Sequence, residues 1–312
     1  MGKIYINELQ ADQIIEEVFL VKEKQLIPFK NKNANYIHLV LGDKTGSIDC
    51  KIWEKADQYM PVLQENKYVL VKASTNLYNN KMQLIIQHVE GTKNYDQADF
   101  LPMSKRSREE MKQEFFGYVQ EINNVKLHTL VTTIFEDKEI STNFFLAPAA
   151  KVQHQAYISG LLEHTLGVTK LCRAFAMLYP EIDKDLLLTG ALLHDLGKIF
   201  ELNYEDNIEY SDEGRLLGHI YIGTKIIEDN IKLQADFQEE LKMKLLHMIL
   251  SHHGFYEYQS PKRPKFKEAF LLHYADDIDA TMDKLMKAEE ENKENNTWSP
   301  YNKSLERYLY LK

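Results

Sequence analysis

The spacing of apolar residues changes near residue 95, and no other feature of the 312-residue chain constrains its fold as strongly. Before that point, apolar residues alternate or run together in strand-sized units, whereas after residue 107 they recur at helical spacing. The chain also exceeds the comfortable size of a single core. The sequence therefore predicts a small β domain followed by an all-α domain.

The first 95 residues hold five strand-sized runs with turn residues between them. These runs are 18–21, 36–41, 47–53, 68–71 and 82–86. Gly42–Gly46 forms the tight turn between the second and third runs, and residues 54–63 could form a helix before the fourth. Five short strands in such a length predict a closed barrel.

The Asp-Lys-Thr-Gly turn at 43–46, followed by a strand that ends at Trp53, resembles OB-folds that bind nucleic acid. Such folds hold single strands with aromatic platforms and a basic groove. An aromatic residue in a strand more often belongs to the core, and a lysine more often lies on a solvated face, so both interpretations stay open. The candidate platforms are Tyr36, Trp53 and Tyr78, and the candidate phosphate contacts are Lys30, Lys32, Lys51 and Lys81.

A polar stretch ending at Pro102 predicts a linker, and the second domain then begins with two bracing helices. The first starts at Ser107, with Glu110 in the capping-box position, and the second covers 127–134. Further helices are expected at 155–178, 184–199, 214–232, 236–251, 267–290 and 303–310. The predicted domains are therefore 1–95, a linker with bracing helices at 96–150, and 151–312.

Charge and cysteine content limit the classes of function and the cellular compartment that we expect for the protein. A formal net charge of -9 argues against a protein that coats nucleic acid through bulk electrostatics. It is compatible with a metal-dependent phosphodiesterase, whose acidic ligands surround cations. Cys50 and Cys172 lie far apart, which favours a reducing compartment. No apolar run suits a signal peptide or a membrane span, so we expect a cytoplasmic protein without a membrane partner.

Six His and Asp positions lie in apolar, helix-like stretches of the second half. An apolar helix at 190–198 presents the His194-Asp195 pair, and the others are His164, His219, His252 and Asp276. Imidazole nitrogen and carboxylate oxygen together suit one or two divalent metals, and paired metals need a bridging carboxylate. Asp195 is the natural bridge. Spacing alone does not decide between His252 and His253.

The order of these residues across 150–285 resembles the HD-domain phosphohydrolase superfamily. The resemblance implies that His164, His194, Asp195 and Asp276 bind a first metal, and that Asp195, His219 and His252 bind a second. It implies that Asp195 and Lys198 are catalytic, with Lys198 at the phosphate, and that no protein nucleophile is needed. It favours His252 as the ligand and leaves His253 and His154 for contacts with the substrate or with the ligands.

Taken together, the barrel and the HD motifs look like the YhaM-type 3′-to-5′ exoribonuclease family of Gram-positive bacteria. The matching motifs are Ala147–Lys151, Gly160–His164, Leu193–Lys198, Leu216–Ile220 and Met248–Gly254. The resemblance implies a Mn²⁺-favouring enzyme that trims single-stranded RNA, and often DNA, to nucleoside 5′-monophosphates. Fe²⁺, Co²⁺, Ni²⁺ and Mg²⁺ also suit the ligands. The chain departs from the family at Gln155, where a second His is usual, and at Ser159, where Gly is common.

Two alternatives and one loop stay open. An HD phosphohydrolase could act on free or cyclic (di)nucleotides, although such an enzyme does not need a strand-binding barrel. A nucleic-acid-binding protein could use the HD domain as a scaffold, although a scaffold need not keep six metal-binding side chains. The loop 260–267 matches the family, and its Lys262 and Arg263 either steer the RNA backbone or are simply solvated. The oligomeric state is also left open.

Overall fold

The computed structural model describes residues 3–29, 31, 34–79, 81–96, 99–100, 103–151, 155–204, 208–292 and 297–312. The chain divides into two compact units. The first is Met1–Pro102, and the second consists of Met103–Tyr204 and Ile208–Lys312. The segment 96–150 that the sequence set apart is thus divided between them, and its helices belong to the second unit.

The first unit is a closed five-stranded barrel in the order β1-β2-β3-β5-β4, which confirms the predicted OB-fold. Its strands are β1 (Ile14–Pro28), β2 (Asn35–Asp43), β3 (Gly46–Ile52), β4 (Tyr68–Tyr78) and β5 (Lys81–Gly91). Strands β3 and β5 pair in parallel, and the other pairs are antiparallel. Alternate residues of β2, namely Ile37, Leu39 and Leu41, fill the barrel interior, as a two-residue period requires.

The helix expected at 54–63 is shorter in the structure. Only α1 (Ala56–Tyr59) is helical, because Lys55 has a left-handed φ of 57° that stops the helix from starting earlier. Tyr59 and Leu63 are both buried in the barrel core. The segment therefore packs against the barrel core, with a single helical turn.

Asp43 organises the turn between β2 and β3. One carboxylate oxygen accepts hydrogen bonds from the backbone nitrogen of Thr45 at 2.7 Å and from its hydroxyl at 2.6 Å. The other oxygen accepts from the backbone nitrogen of Ile6 at 2.7 Å. The side chain is buried, so these bonds replace hydration that it would otherwise lose. Asp43 thus ties the amino-terminal segment to the barrel.

The second unit begins with three capped helices. They are α2 (Arg108–Gln120), α3 (Val125–Glu136) and α4 (Lys138–Leu146). Ser107 caps α2 as predicted, accepting a bond from the backbone nitrogen of Glu110. The sequence predicted two helices here rather than three. Asp137 explains the difference, because it terminates α3 and caps α4 with its side chain.

The remaining helices surround one apolar core, which confirms the predicted helical HD-type domain. They are α5 (Gly160–Leu178), α6 (Lys184–Leu193), α7 (Lys198–Glu201), α8 (Asp212–Lys232), α9 (Glu239–Ser251) and α10 (Lys267–Glu291). A small ribbon of β6 (Leu202–Asn203) and β7 (Glu209–Tyr210) lies between α7 and α8. Leu161, Leu192, Met248 and Leu272 bring α5, α6, α9 and α10 into the core.

The helix predicted at 184–199 is interrupted after Leu193 and resumes only at Lys198, and two further helix predictions are also wrong. Helix α5 starts at Gly160 rather than 155, because Gln155 and Ser159 both adopt positive φ angles. No helix forms at 303–310. There, Glu306 adopts a left-handed φ of 54°, and the backbones of Asn302 and Arg307 pair as an antiparallel bridge, neither of which fits a helix. Within the described part of the chain, no helix has the length and apolarity that crossing a membrane requires.

We expect Asp43→Ala to destabilise the barrel by about 1–3 kcal/mol, because it leaves the partly buried backbone donors of Ile6 and Thr45 without their acceptor. Glu65→Ala, at an exposed loop position, is the matched control and should change stability by less than about 0.5 kcal/mol. Urea unfolding of the full chain measures both. Equal midpoints for the two variants would contradict the assignment of Asp43 to the barrel turn.

Candidate metal centre

Two histidines stand at the carboxyl ends of apolar helices. His194 follows α6 and His252 follows α9, and both are fully buried. Their Nδ1 atoms lie 2.8 Å from the carbonyl oxygen of Ala191 and 2.7 Å from that of Ile249. A carbonyl only accepts, so Nδ1 carries the hydrogen in each ring. Each Nε2 therefore keeps a lone pair that is available to a cation.

The other two histidines are held by carboxylates. His164 on α5 places Nδ1 2.7 Å from Oδ2 of Asp279, and His219 on α8 places Nδ1 2.9 Å from Oε1 of Glu201. The same Glu201 oxygen accepts the backbone N–H of His219 at 3.0 Å. That N–H faces Glu201 where Gly218, at φ 72°, interrupts the helix. Carboxylate partners orient an imidazole and increase its basicity as a ligand.

Close packing places His219 beside the His194-Asp195 segment. A Cβ atom at Gly197 would lie 2.0 Å from the carbonyl oxygen of His219 and 2.6 Å from the nitrogen of Gly223. No larger residue fits at Gly197 without moving α8. The glycine at 197, shortly after the His194-Asp195 pair, is thus explained by packing, because it lets α8 approach the pair.

Asp195 lies between the four imidazoles and presents one oxygen to each side. Its Oδ2 is 3.3 Å from Nε2 of His194 and 3.5 Å from Nε2 of His164. Its Oδ1 is 3.5 Å from Nε2 of His219 and 3.6 Å from Nε2 of His252. This is the geometry expected of a carboxylate that can bridge two cations.

Among the described residues, the donor atoms form two groups that share Asp195. One group is His164, His194 and Asp195, and the other is Asp195, His219, His252 and His253. An oxygen of Asp276 lies 3.1 Å from Nε2 of His164 and 3.9 Å from Nε2 of His194. Asp276 thus adjoins the first group.

The donor atoms fit a divalent cation. Oδ1 of Asp195 and the Nε2 atoms of His219 and His252 are buried and have no hydrogen-bond partner among the described residues. Buried polar atoms are normally satisfied, so three converging atoms of this kind suit a bound cation. Nitrogen and carboxylate oxygen are ligands that divalent first-row metals accept.

Lys198 completes the charge balance of the centre. Its ammonium lies 2.6 Å from Oδ2 of Asp195 and is almost fully buried. Burial acts against the charged form, but Asp195 outweighs it and the pKa of Lys198 is raised. Burial likewise opposes ionisation of Asp195, yet Lys198 and His194 bring the pKa of that carboxyl well below its usual range. The two groups form an ion pair at neutral pH.

The two donor groups differ in protonation. Burial disfavours the His164 imidazolium, but hydrogen bonds to Asp276 and Asp279 overcome this and raise the pKa of His164 to about 10. In the second group the effect of burial is not outweighed. It lowers the pKa of His252, and together with the charges of His252 and His219 it lowers the pKa of His253 to about 3.

The structure brings together all six residues that the sequence proposed as metal ligands, and it adds His253 to the second group. Both members of the His252-His253 pair present an imidazole there. His154 lies outside the described residues. Neither Glu201 nor Asp279 was predicted from the sequence as a residue of the site. The useful signal was the position of Asp279 one turn after Asp276 on α10.

The proposed nucleic-acid residues of the first unit line a single groove. Tyr36, Trp53 and Tyr78 lie there with Lys51 and Lys81. The Tyr36 and Trp53 rings are 4.9 Å apart, and the Lys51 ammonium is 5.2 Å from the centre of the Tyr36 ring. Lys30 and Lys32 lie outside the described residues. In the second unit, Lys262 and Arg263 are both exposed.

An OB barrel joined to a helical domain with this His and Asp arrangement defines the class of HD-domain proteins that carry a nucleic-acid-binding module. Comparison with known families agrees, matching residues 161–281 to the HD domain and residues 20–90 to the OB-fold nucleic acid binding domain.

Curated relatives narrow the class further. The chain is 34% identical to the 3′-5′ exoribonuclease YhaM of Geobacillus sp. (strain WCH70), over 94% of this chain and 90% of that protein. It is 35% identical to YhaM of Bacillus subtilis (strain 168), over 81% of each. The chain belongs to the YhaM 3′-5′ exoribonuclease family.

We expect Glu201→Gln to weaken Mn²⁺ binding about 10- to 100-fold, because the neutral amide no longer increases the basicity of His219. The shift of the melting temperature with Mn²⁺ concentration measures the affinity, since a ligand of the folded state stabilises it. Glu213→Gln, at an exposed position on α8, is the matched control. If both variants bind Mn²⁺ as tightly as the unmodified chain, Glu201 does not support the ligand.

We also expect one cation to bind more tightly as pH rises. A pKa of about 10 leaves His164 protonated at neutral pH, so a cation must displace that proton. Its affinity should rise about tenfold per pH unit, whereas the second group, with neutral His252 and His253, should respond weakly. Calorimetric titration in buffers of different ionisation enthalpy counts the released protons. Asp279→Asn should lower the pKa of His164 and reduce the release, and an unchanged release would contradict the assignment.

Proposed function

We propose that the protein is a metal-dependent 3′-to-5′ exoribonuclease that releases nucleoside 5′-monophosphates from single-stranded RNA, with single-stranded DNA as a further substrate. The observation that carries this proposal is the position of Asp195 between two groups of imidazoles, in a chain that also has an OB barrel. The name of the curated relatives supports the direction and the substrate.

In this proposal His164, His194, Asp195 and Asp276 hold one cation, and Asp195, His219 and His252 hold another. Bound cations supply a water that ionises near neutral pH and positive charge for the phosphoryl oxygens. His253 is placed beside the second group to contact the substrate or to complete that group. Its inclusion among the converging donors supports either role.

Lys198 would stabilise negative charge on the phosphoryl oxygens of the transition state. Its ammonium is already desolvated and fixed by Asp195, so little reorganisation accompanies the reaction. Asp195 orients Lys198 through the same oxygen that faces His164 and His194. No side chain of the site is needed as a nucleophile, and water is the attacking group.

The groove of the first unit would bind the strand by stacking. Trp53 and Tyr78 are 40% and 63% exposed, so their faces are open to bases. Base stacking on such rings tolerates any sequence, which suits an enzyme that processes a strand nucleotide by nucleotide. Lys51 and Lys81 would contact phosphates in the same groove.

We propose Mn²⁺ as the preferred cation at both positions, with Fe²⁺, Co²⁺, Ni²⁺ and Mg²⁺ as the other ions that this ligand set accepts. We further propose that the enzyme acts in the cytoplasm. The two cysteines, Cys50 and Cys172, are free and buried, which suits a reducing compartment.

The activity is tested on a 5′-labelled single-stranded RNA with Mn²⁺, with products resolved at single-nucleotide steps. We expect a ladder that shortens from the 3′ end, which EDTA abolishes and Asp195→Ala reduces at least about 1,000-fold, because both donor groups lose their shared ligand. Asp277→Ala, at an exposed neighbour of Asp276, is the control that keeps the ladder.

Two other outcomes would favour the alternatives. A strand that is bound tightly but never shortened, with the same affinity for Asp195→Ala, would indicate a binding protein with the HD domain as scaffold. An RNA that is neither bound nor cleaved, together with turnover of a free or cyclic dinucleotide, would indicate a nucleotide phosphohydrolase.

A further inference from the structure

The turn that follows His253 exposes four side chains with flat faces, which we call the aromatic rim. Its members are Phe255, Tyr256, Tyr258 and Arg263. The three rings are 41%, 61% and 62% exposed. The Arg263 guanidinium carbon lies 5.3 Å from the centre of the Phe255 ring and 5.8 Å from that of Tyr256. These contacts hold the arginine over the rings.

Hydrogen bonds join the aromatic rim directly to the metal centre. Nδ1 of His253 donates to the carbonyl oxygen of Tyr258 at 2.8 Å, and the backbone nitrogen of Phe255 donates to the carbonyl of His253 at 2.9 Å. His253 itself belongs to the second donor group. Two residues of chain span at most about 7 Å, so Phe255 starts within one nucleotide of that group.

The direction of the turn is fixed by Gly254. Its φ of 77° favours glycine, and a Cβ atom there would lie 2.2 Å from the His273 ring. His273 is buried and donates from Nδ1 to the carbonyl oxygen of His252 at 2.9 Å. The chain therefore leaves the metal centre in one direction, toward the aromatic rim.

The other side of the rim is equally well anchored. Ser260 is buried, and its hydroxyl donates to the carbonyl oxygen of Lys262 at 2.7 Å. The backbone nitrogen of Lys262 donates to the carbonyl oxygen of Leu250 at 3.2 Å, near the end of α9. Pro264 is also buried. Arg263 thus lies in a short segment whose neighbours on both sides are held in place.

The chemistry of the rim suits one kind of occupant. Three open π faces and a guanidinium plane stack on nucleobases, and the nearby Lys262 and Lys265 outnumber the single carboxylate of Glu257. This surface combines flat faces with positive charge, as a single-stranded polyanion requires. Its attachment to His253 places such a strand where its phosphodiester would meet the proposed cations.

We propose that the aromatic rim is a stacking platform for the nucleobases that flank the bond being cleaved. This site is separate from the groove of the barrel and rests on the proposed function. Stacking on a ring recognises the flat face of any base rather than its hydrogen-bonding edge. The rim therefore positions the 3′ end without selecting its sequence.

The test pairs a change in the protein with a change in the substrate. A 5′-labelled trinucleotide is compared with versions that lack the base on either side of the last phosphodiester bond. We expect removal of one base to lower kcat/KM about 10-fold for the unmodified enzyme and less than about 2-fold for Tyr256→Ala. Tyr256→Phe, which keeps the ring, should behave as the unmodified enzyme.

Two further variants separate stacking from other effects. Arg263→Lys keeps the charge but loses the planar group, so it should lose part of the preference for the base. Tyr308→Ala removes an equally exposed ring from the carboxyl-terminal segment and should leave the preference unchanged. The same trinucleotides are also titrated in EDTA, where binding is measured without hydrolysis.

The results distinguish this proposal from the proposed function. If RNA is shortened normally and base removal costs every variant the same factor, both in turnover and in binding, the platform is excluded while the exonuclease stands. If no strand is shortened but Tyr256→Ala abolishes the preference in binding, the rim stacks nucleobases while the exonuclease, and with it the role of the rim in cleavage, is excluded. Loss of the preference in Tyr308→Ala as well would also exclude the platform.

Discussion

Four imidazoles surround the Asp195 carboxylate, and each must satisfy its second ring nitrogen inside the protein. Backbone carbonyls serve His194 and His252, while carboxylates serve His164 and His219. In every case the bond at Nδ1 turns Nε2 toward the centre. The carbonyls of Ala191 and Ile249 belong to the last turns of their helices, where acceptors are otherwise unpaired. Ending α6 and α9 at these histidines therefore stabilises the helices and orients the donors at once.

The mixture of carbonyl and carboxylate partners makes the two sides of the centre alike in construction but different in charge. Each donor group has one imidazole held by a helix end and one held by a carboxylate, Asp279 or Glu201. The first group also adjoins Asp276, which together with Asp279 raises the pKa of His164. The second group has no such additional carboxylate among the described residues that form it, and burial lowers the pKa values of its His252 and His253. A proton is thus held on His164 and disfavoured on His252 and His253.

The sequence predicted which strands and helices form better than it predicted where they end or which residues contact each other across the fold. Alternation located every strand of the barrel, but β1 continues to Pro28, where polar residues pair with β2 outside the apolar core. The metal-ligand candidates were visible because each polar residue interrupts an apolar helix. Glu201 was not, because it lies 18 residues before His219, and it is tertiary contacts of α7 with α8, such as those at Ser211 and Gly197, that bring the two together. The helix expected at 303–310 does not form because Glu306 has a left-handed φ, and because Asn302 and Arg307 pair as an antiparallel bridge.

The chain has a net charge of -9 and acts on a polyanion, so the groups that bind the strand must be distinct from those that cleave it. At the centre, Asp195 and Asp276 are ionised, since their pKa values are lowered, and Lys198 is committed to Asp195. A phosphate entering without cations would meet carboxylates in a region of low dielectric, which is unfavourable. Cations and phosphate therefore strengthen the binding of each other, as thermodynamic reciprocity requires. The stacking that we propose on the barrel groove and on the aromatic rim would not depend on this balance, so it would hold the strand while the centre assembles around the phosphodiester.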